Sequence, residues 1–248
     1  MRKLLIANRG EIAVRIARTA AEMGIATAAV FSEDDAASLH VKRADAAVAL
    51  KGAGPAAYLD IEGVIAAAQE AGCDGVHPGY GFLAENPAFA RACAAAGLTF
   101  VGPDPETLNL FGDKARARAL AQGCGVPVLA GTEGPVTLDE ARAFLAAHGP
   151  VMVKAVAGGG GRGMRPAMTA DELAEAFARC ASEAKAAFGD ERLYVERFLP
   201  HARHVEVQVA GDGAEAIHLW DRECSLQRRR QKVVEIAPAD MLPFELRE

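Results

Sequence analysis

The chain has no surplus of positive charge: 27 lysines and arginines stand against 33 aspartates and glutamates, a formal net charge of −6. Such a field repels polyanions, which argues against nucleic-acid binding and against attachment to a membrane surface. The five cysteines (Cys73, Cys93, Cys124, Cys180 and Cys224) contain no CxxC pair or other metal-ligand spacing. An odd, unpatterned set fits reduced, buried thiols in the cytoplasm and excludes a disulfide framework. No apolar run approaches the roughly 18 residues of a membrane span, and the run in "MRKLLIANRG" is too short for a signal peptide. What remains is an ordinary globular composition over 248 residues, 51% hydrophobic and 24% charged. That length suits one large domain or two to three small ones.

Periodicity organises the first part of the chain. "KLLIA" (3–7) is a short apolar strand, and Ile12, Ile16, Ala20 and Met23 then recur at helical spacing until Gly24 closes the helix. "TAAVF" (27–31) and "AAVAL" (46–50) read as strands, and "IEGVIAAAQEAG" and "NPAFARACAAAG" as helices. Strands alternating with helices predict an α/β fold with a parallel doubly wound sheet over residues 1–112. The first strand–helix turn reads Asn8-Arg9-Gly10-Glu11, not GxGxxG, so a dinucleotide site is not expected there.

The texture changes from Lys114. "DKARARALAQGCG" is a helix, and "TLDEARAFLAAHG" opens with a helix-start signature, Thr137 followed three positions on by Glu140. The strand "PVMVKAV", a glycine run and the long helix "TADELAEAFARCASEAKAAFG" follow. "RLYVERFL", "RHVEVQVAGDG" and "AIHLWDREC" read as further strands. "IAPADMLPFELRE" then stops with no closing element, which leaves a domain cut off mid-construction with an exposed sheet edge.

Four stretches carry chemistry. In "VMVKAVAGGGGRGMR" (151–165), an apolar strand delivers Lys154 and a glycine run follows four residues on. Glycine lets successive N–H groups wrap phosphate oxygens where side chains would obstruct them. A flexible linker is the plainer reading, but the apolar strand before the run speaks against it. The Walker GK[ST] signature is absent. "HVEVQV" (204–209) alternates, with His204, Glu206 and Gln208 on one strand face and the valines on the other. A one-sided wet sheet accounts for that pattern alone; a hairpin would bring the "QRRRQK" cluster (227–232) alongside it. As one regular strand, that cluster places Arg228, Arg230 and Lys232 on one face and Gln227, Arg229 and Gln231 on the other. It reads either as a solvated surface or as the grip for a small planar anion. "HPGYGFLAENP" (77–87) is a glycine-rich turn at the sheet edge or a cleft lining.

Taken in order, "LLIANRGEIAVRIARTAAEMGI", "HPGYGFLAENPAFA", "GDKARAR", "GGGGRGMR", "RHVEVQV" and "ECSLQRRRQKVVEIAPA" resemble the biotin carboxylase module of the ATP-grasp superfamily, over residues 2–239. The resemblance implies an N-terminal Rossmann-like parallel-sheet domain (1–112), an ATP-grasp linker and lid domain bearing the glycine loop (113–201), and the start of a truncated ATP-grasp C-terminal lobe (202–248). It implies that Lys114 and Lys154 contact nucleotide phosphates, that Gly160 and Gly161 close over them, and that Met164 lies against the adenine. It assigns the adenine-edge hinge to Glu196, Arg197, Phe198 and Leu199, further nucleotide contacts to His204, Gln227 and Arg230, and bicarbonate to Lys232, the catalytic lysine. Arg230 stands where the family usually has histidine, Arg197 where lysine is common, and the glycine run is shorter than usual. Cys224 is read as structural.

The implied function is MgATP-dependent activation of bicarbonate through carboxyphosphate, with carboxylation of biotin on a carrier protein. ATP, bicarbonate and carrier-bound biotin are the implied ligands. Magnesium ligands, the general-base glutamate and the catalytic arginines are expected beyond residue 248, so no metal site is expected in this chain and little or no carboxylation by it alone. A biotin carboxyl carrier domain and a carboxyltransferase component are the implied partners. Family members pair as homodimers, and Arg18 and Glu22 match interface positions, although their i,i+4 spacing equally fits an intrahelical pair. Two other functions stay open: another ATP-grasp carboxylate–amine ligase, or a non-catalytic nucleotide-binding or assembly module.

Overall fold

The computed structural model describes residues 1–157, 163–228 and 231–246. The chain divides into two compact units, residues 1–120 and 121–248.

The first unit is built from β1 (Lys3–Ile6), α1 (Gly10–Glu22), β2 (Ala26–Phe31), α2 (Leu39–Arg43), β3 (Ala46–Ala49), α3 (Ile61–Glu70), β4 (Gly75–His77), α4 (Pro87–Ala95), β5 (Thr99–Phe100) and α5 (Pro105–Gly112). The strands pair in parallel in the order β3-β2-β1-β4-β5. Helices cover both faces of this sheet, which is why β1 reads as an unbroken apolar run rather than an alternating one. Leu5, Val30 and Val76 pack with Tyr58, Val64 and Phe89 on one side, and Leu4 and Ile6 meet Ile12 and Ile16 of α1 on the other. Met23 departs from the expected stripe: it caps α1 and is exposed, and Gly24 takes the positive φ after it. Among the described residues, α1 carries the ion pair Glu11–Arg15 at 3.9 Å and none between Arg18 and Glu22, which are both exposed.

α6 (Lys114–Gly123) carries the chain onward. In the second unit, α7 (Leu138–His148) starts with a complete capping box between Thr137 and Glu140. β6 (Val151–Ala155), β7 (Met164–Ala167), α8 (Ala170–Phe188) and β8 (Leu193–Arg197) follow. The strands form an antiparallel sheet in the order β7-β6-β8. Val151, Val153 and Val195 face Ala141 of α7 and Leu173 and Cys180 of α8 in a closed core. β9 (Val205–Gly211), β10 (Ala216–Arg228) and β11 (Gln231–Ile236) make a second antiparallel sheet, with β10 in the centre. The valine face that alternation assigns to a core is open here: Val207 and Val209 are both exposed.

Candidate functional site

On β6, Lys154 lies directly opposite Met164 of β7 and Tyr194 of β8. Residues opposite one another project to the same face, and alternate residues to the other. Since Val151, Val153 and Ala155 face the helices, Lys154 and Met164 occupy the face that α7 and α8 leave open. Glu196 is opposite Met152, one diagonal step away, and forms an ion pair with the Lys154 ammonium. The two side chains are only 21% and 13% exposed, so water screens the pair weakly.

The backbone beside this pair is fixed. The Arg197 N–H donates to Ala130 O at 2.8 Å and the Phe198 N–H to Pro150 O at 2.7 Å, while Gly131 bridges to Glu196. The Arg197 side chain points to solvent and Leu199 is partly exposed beyond it. Gly160 and Gly161 lie outside the described residues. Gly163, which follows the run, needs to be glycine: its φ is +65° and a Cβ would come within 3.0 Å of the Ala155 Cβ.

The second sheet corrects one expectation. Gln227 and Lys232 do not share one regular strand: β10 ends at Arg228, β11 begins at Gln231, and the two run antiparallel with Gln227 opposite Lys232. Gln227 and Lys232 therefore share a face, where an unbroken strand puts them on opposite ones. The expected hairpin also brings this segment beside β9. Gln227 Nε2 lies 2.9 Å from His204 Nδ1 and donates to Cys224 O at 3.0 Å. Lys232 Nζ donates to Glu206 Oε2 at 2.5 Å, and His204 Nε2 is 3.6 Å from that same oxygen. Arg230 lies outside the described residues. Cys224 is fully buried in β10, in keeping with a structural role.

Spacing placed Glu206 on the His204 face without giving it a role, and did not single out Arg222 or Glu235. Glu206 Oε1 holds Arg222, whose Nε also lies 3.0 Å from Glu235 Oε2. The one available signal was the alternation that sets Glu206 beside His204. Donor atoms of Glu206, Cys224 and Glu235 lie within 4.8 Å of one another. Both carboxylates already hold Arg222, and a buried thiol is a poor ligand for a hard cation, so this cluster does not fit magnesium.

In the first unit, Lys114 opens α6, whose first turn is capped by Asp113 accepting from the Ala115 and Arg116 N–H groups at 2.9 and 3.1 Å. The HPGYGF segment is a turn held from beneath. Buried Asn8 donates to Pro78 O at 2.7 Å and Tyr80 O at 2.9 Å, while Gly79, Gly81 and Phe82 all take positive φ. Burial lowers the pKa of His77, whose Nδ1 accepts from the Gly79 N–H at 3.0 Å. Tyr80 is exposed and donates to Glu11 at 2.7 Å.

Comparison with known proteins sharpens this picture. Residues 1–108 match the family described as biotin carboxylase, N-terminal domain, and residues 113–248 match the carbamoyl-phosphate synthase L chain, ATP binding domain. The chain belongs to the biotin carboxylase family. It is 49% identical to pyruvate carboxylase of Bacillus subtilis, with all of this chain and 22% of that protein covered. It is 50% identical to the mitochondrial pyruvate carboxylase of Homo sapiens, covering 21% of that protein. Among solved structures, the biotin carboxylase–β,γ-ATP complex from Campylobacter jejuni superposes with a TM-score of 0.96 at 44% identity, over 99% of this chain and 56% of that one. The biotin carboxylase domain dimer of Hydrogenobacter thermophilus 2-oxoglutarate carboxylase, with MgADP, ADP and bicarbonate, gives a TM-score of 0.95 at 43% identity, over 99% and 55%. The chain thus spans about half of these biotin carboxylase structures and about a fifth of the curated pyruvate carboxylases. Among the described residues, no helix is long and apolar enough to cross a membrane.

Proposed function

We propose that this chain is the nucleotide-gripping part of a biotin carboxylase, which activates bicarbonate with ATP and passes the carboxyl group to biotin on a carrier. One observation carries the reading. Lys154 ends an apolar strand, faces Met164 across the sheet, and lies one diagonal step from the Glu196–Leu199 hinge. A phosphate ligand, an apolar surface for a base and a fixed backbone edge thus adjoin on one sheet face.

The chemistry follows from charge and position. Lys114 and Lys154 draw charge from the nucleotide phosphates while Lys232 holds bicarbonate. A bicarbonate oxygen attacks the γ-phosphorus in line, the bond to the bridging oxygen breaks, and ADP leaves. The carboxyphosphate so formed splits into CO2 and phosphate. That phosphate takes the biotin N1′ proton, and N1′ attacks the CO2. Gly160 and Gly161 close the lid that keeps water from the intermediate. His204, Gln227 and Arg230 complete the nucleotide contacts.

Carboxylation is proposed for the protein that carries this chain; the chain itself is proposed to stop at nucleotide binding. Its partners are then a biotin carboxyl carrier domain and a carboxyltransferase component, and the working form is a homodimer. Five free thiols, four of them buried, suit the cytoplasm. Calorimetry of MgATP and ADP binding tests the reading, with Lys154→Ala as the control. Binding that the variant loses supports it; no binding by the folded chain overturns it.

A further inference from the structure

The geometry points to Arg222 as a positioning residue that keeps Glu206 from taking the whole charge of Lys232. This rests on the proposal that Lys232 holds bicarbonate. Glu206 on β9 and Arg222 on β10 are directly opposite in register, so they share a face of the sheet. The Glu206 carboxylate is divided between two cations. Oε1 is held by Arg222 Nη2, and Oε2 accepts from Lys232 Nζ at 2.5 Å. Arg222 is in turn divided between two carboxylates, because its Nε lies 3.0 Å from Glu235 Oε2 on β11, without its N–H aimed at that oxygen. The central strand thus carries a cation that reaches an acid on each neighbouring strand.

The consequence is electrostatic. Arg222 and Lys232 together balance Glu206 and Glu235, so the four side chains carry no net charge before an anion arrives. A lysine paired one-to-one with a carboxylate offers an incoming anion little field. Here Arg222 takes up half of the Glu206 carboxylate and leaves part of the Lys232 charge, and at least one of its three donors, for a further acceptor. The side chains of Arg222, Glu206 and Lys232 are 37%, 29% and 32% exposed, so the balance is partly screened but open to a small ligand. Without Arg222, Glu206 would turn wholly to Lys232 and compete with bicarbonate for it.

The test is steady-state ADP formation by the protein carrying this chain, with bicarbonate and ATP varied separately. Arg222→Met removes the charge and keeps the bulk. It is expected to raise KM for bicarbonate about tenfold, leaving KM for ATP and kcat at saturating bicarbonate within about twofold. Arg222→Lys is expected to recover part of this. The double variant Arg222→Met with Glu206→Gln, which removes the competitor, is expected to return KM for bicarbonate towards the parent value. A merely structural arginine predicts the opposite pattern: kcat falls, both KM values move together, and Glu206→Gln rescues nothing. That pattern overturns the inference. Should Arg222→Met fail to fold, Glu235→Gln reads the same balance. It leaves Arg222 wholly to Glu206, so KM for bicarbonate is expected to fall or hold, and a rise overturns the inference. Lys232→Ala separates the two levels. If it leaves KM for bicarbonate unchanged, the bicarbonate reading and this inference fall together. If it abolishes bicarbonate dependence while Arg222→Met leaves that KM unchanged, only the role of Arg222 is lost.

Discussion

Lys154 on β6 and Glu196 on β8 form an ion pair along a strand diagonal, on the sheet face that α7 and α8 leave open. Both side chains are mostly shielded, so neither can lose its partner cheaply. Lys154→Ala is therefore expected to do two things to MgADP binding. It removes a charge-assisted contact to phosphate worth about 1.5–3 kcal/mol, and it takes away the Lys154 charge that offsets the Glu196 carboxylate on the same face. Calorimetry should show at least about a tenfold loss of affinity. The double variant Lys154→Ala with Glu196→Gln should recover part of it. A double variant no better than the single one would mean that Glu196 exerts no field on the nucleotide.

Gly79 is predicted to be intolerant of a side chain. It sits at φ +66°, and a Cβ would lie 2.7 Å from Asn8 Nδ2. Gly79→Ala must displace the buried amide that donates to Pro78 O and Tyr80 O. Strain and two broken hydrogen bonds together give an expected loss of about 2–4 kcal/mol. Urea unfolding measures it, and Gly81→Ala is the useful comparison. Gly81 has the same φ of +66° but nothing within 4 Å of the added carbon, so it should pay only the backbone part.

The features that sequence spacing revealed are local ones. The Thr137–Glu140 capping box, the apolar β1 and the long α8 each depend on residues within one turn or one strand. The Gln227–Lys232 relationship was misjudged because strand parity holds only while the strand continues. The antiparallel pairing of β10 with β11 puts both side chains on one face. The contacts of Glu206, and Arg222 and Glu235 altogether, were missed for a related reason. Their contacts span three strands and up to 26 positions of sequence, and register shifts within β10 make such pairings unpredictable from alternation. The open valine face was misjudged too, because alternation says which residues could be buried, not whether anything covers them.

Thiol reactivity should separate the cysteines cleanly. Cys124 is exposed, whereas Cys73, Cys93, Cys180 and Cys224 are buried. Burial also pushes the Cys73 thiol up, and the Cys93 thiol to about 11, so the reactive thiolate of each is scarce at neutral pH. A thiol-disulfide reagent near pH 8 is expected to modify one group rapidly and the rest only as the chain unfolds. Cys124→Ser should abolish the fast phase, and a fast phase that survives it would show that a core is open.

Tyr58 and Asp35 should make contributions of opposite sign to the pH dependence of stability in the first unit. The Tyr58 hydroxyl donates to Asp35 Oδ2 at 2.8 Å, and its ring stacks on Phe82 at 5.2 Å between centroids. Burial and the Asp35 carboxylate raise the Tyr58 pKa to about 12. A raised folded pKa stabilises the fold fully below the unfolded value near 10, and that stability, on the order of 2 kcal/mol, is lost as pH rises towards 12. Asp35 has the opposite sign. Burial pushes its carboxyl up, but hydrogen bonds from Tyr58, Ser38 and Arg9 outweigh this and hold it below its ordinary value. Its contribution is present above the ordinary carboxylate range and is lost as pH falls through the depressed pKa. Tyr58→Phe keeps the stack and deletes the shared hydrogen bond. It should reduce stability at neutral pH by about 1–2 kcal/mol, shrink the alkaline loss, and bring the acid loss in at higher pH. Urea midpoints across the pH range, with tyrosinate absorbance as the second readout, check all three. Matching profiles for variant and parent would show that the two groups do not titrate together.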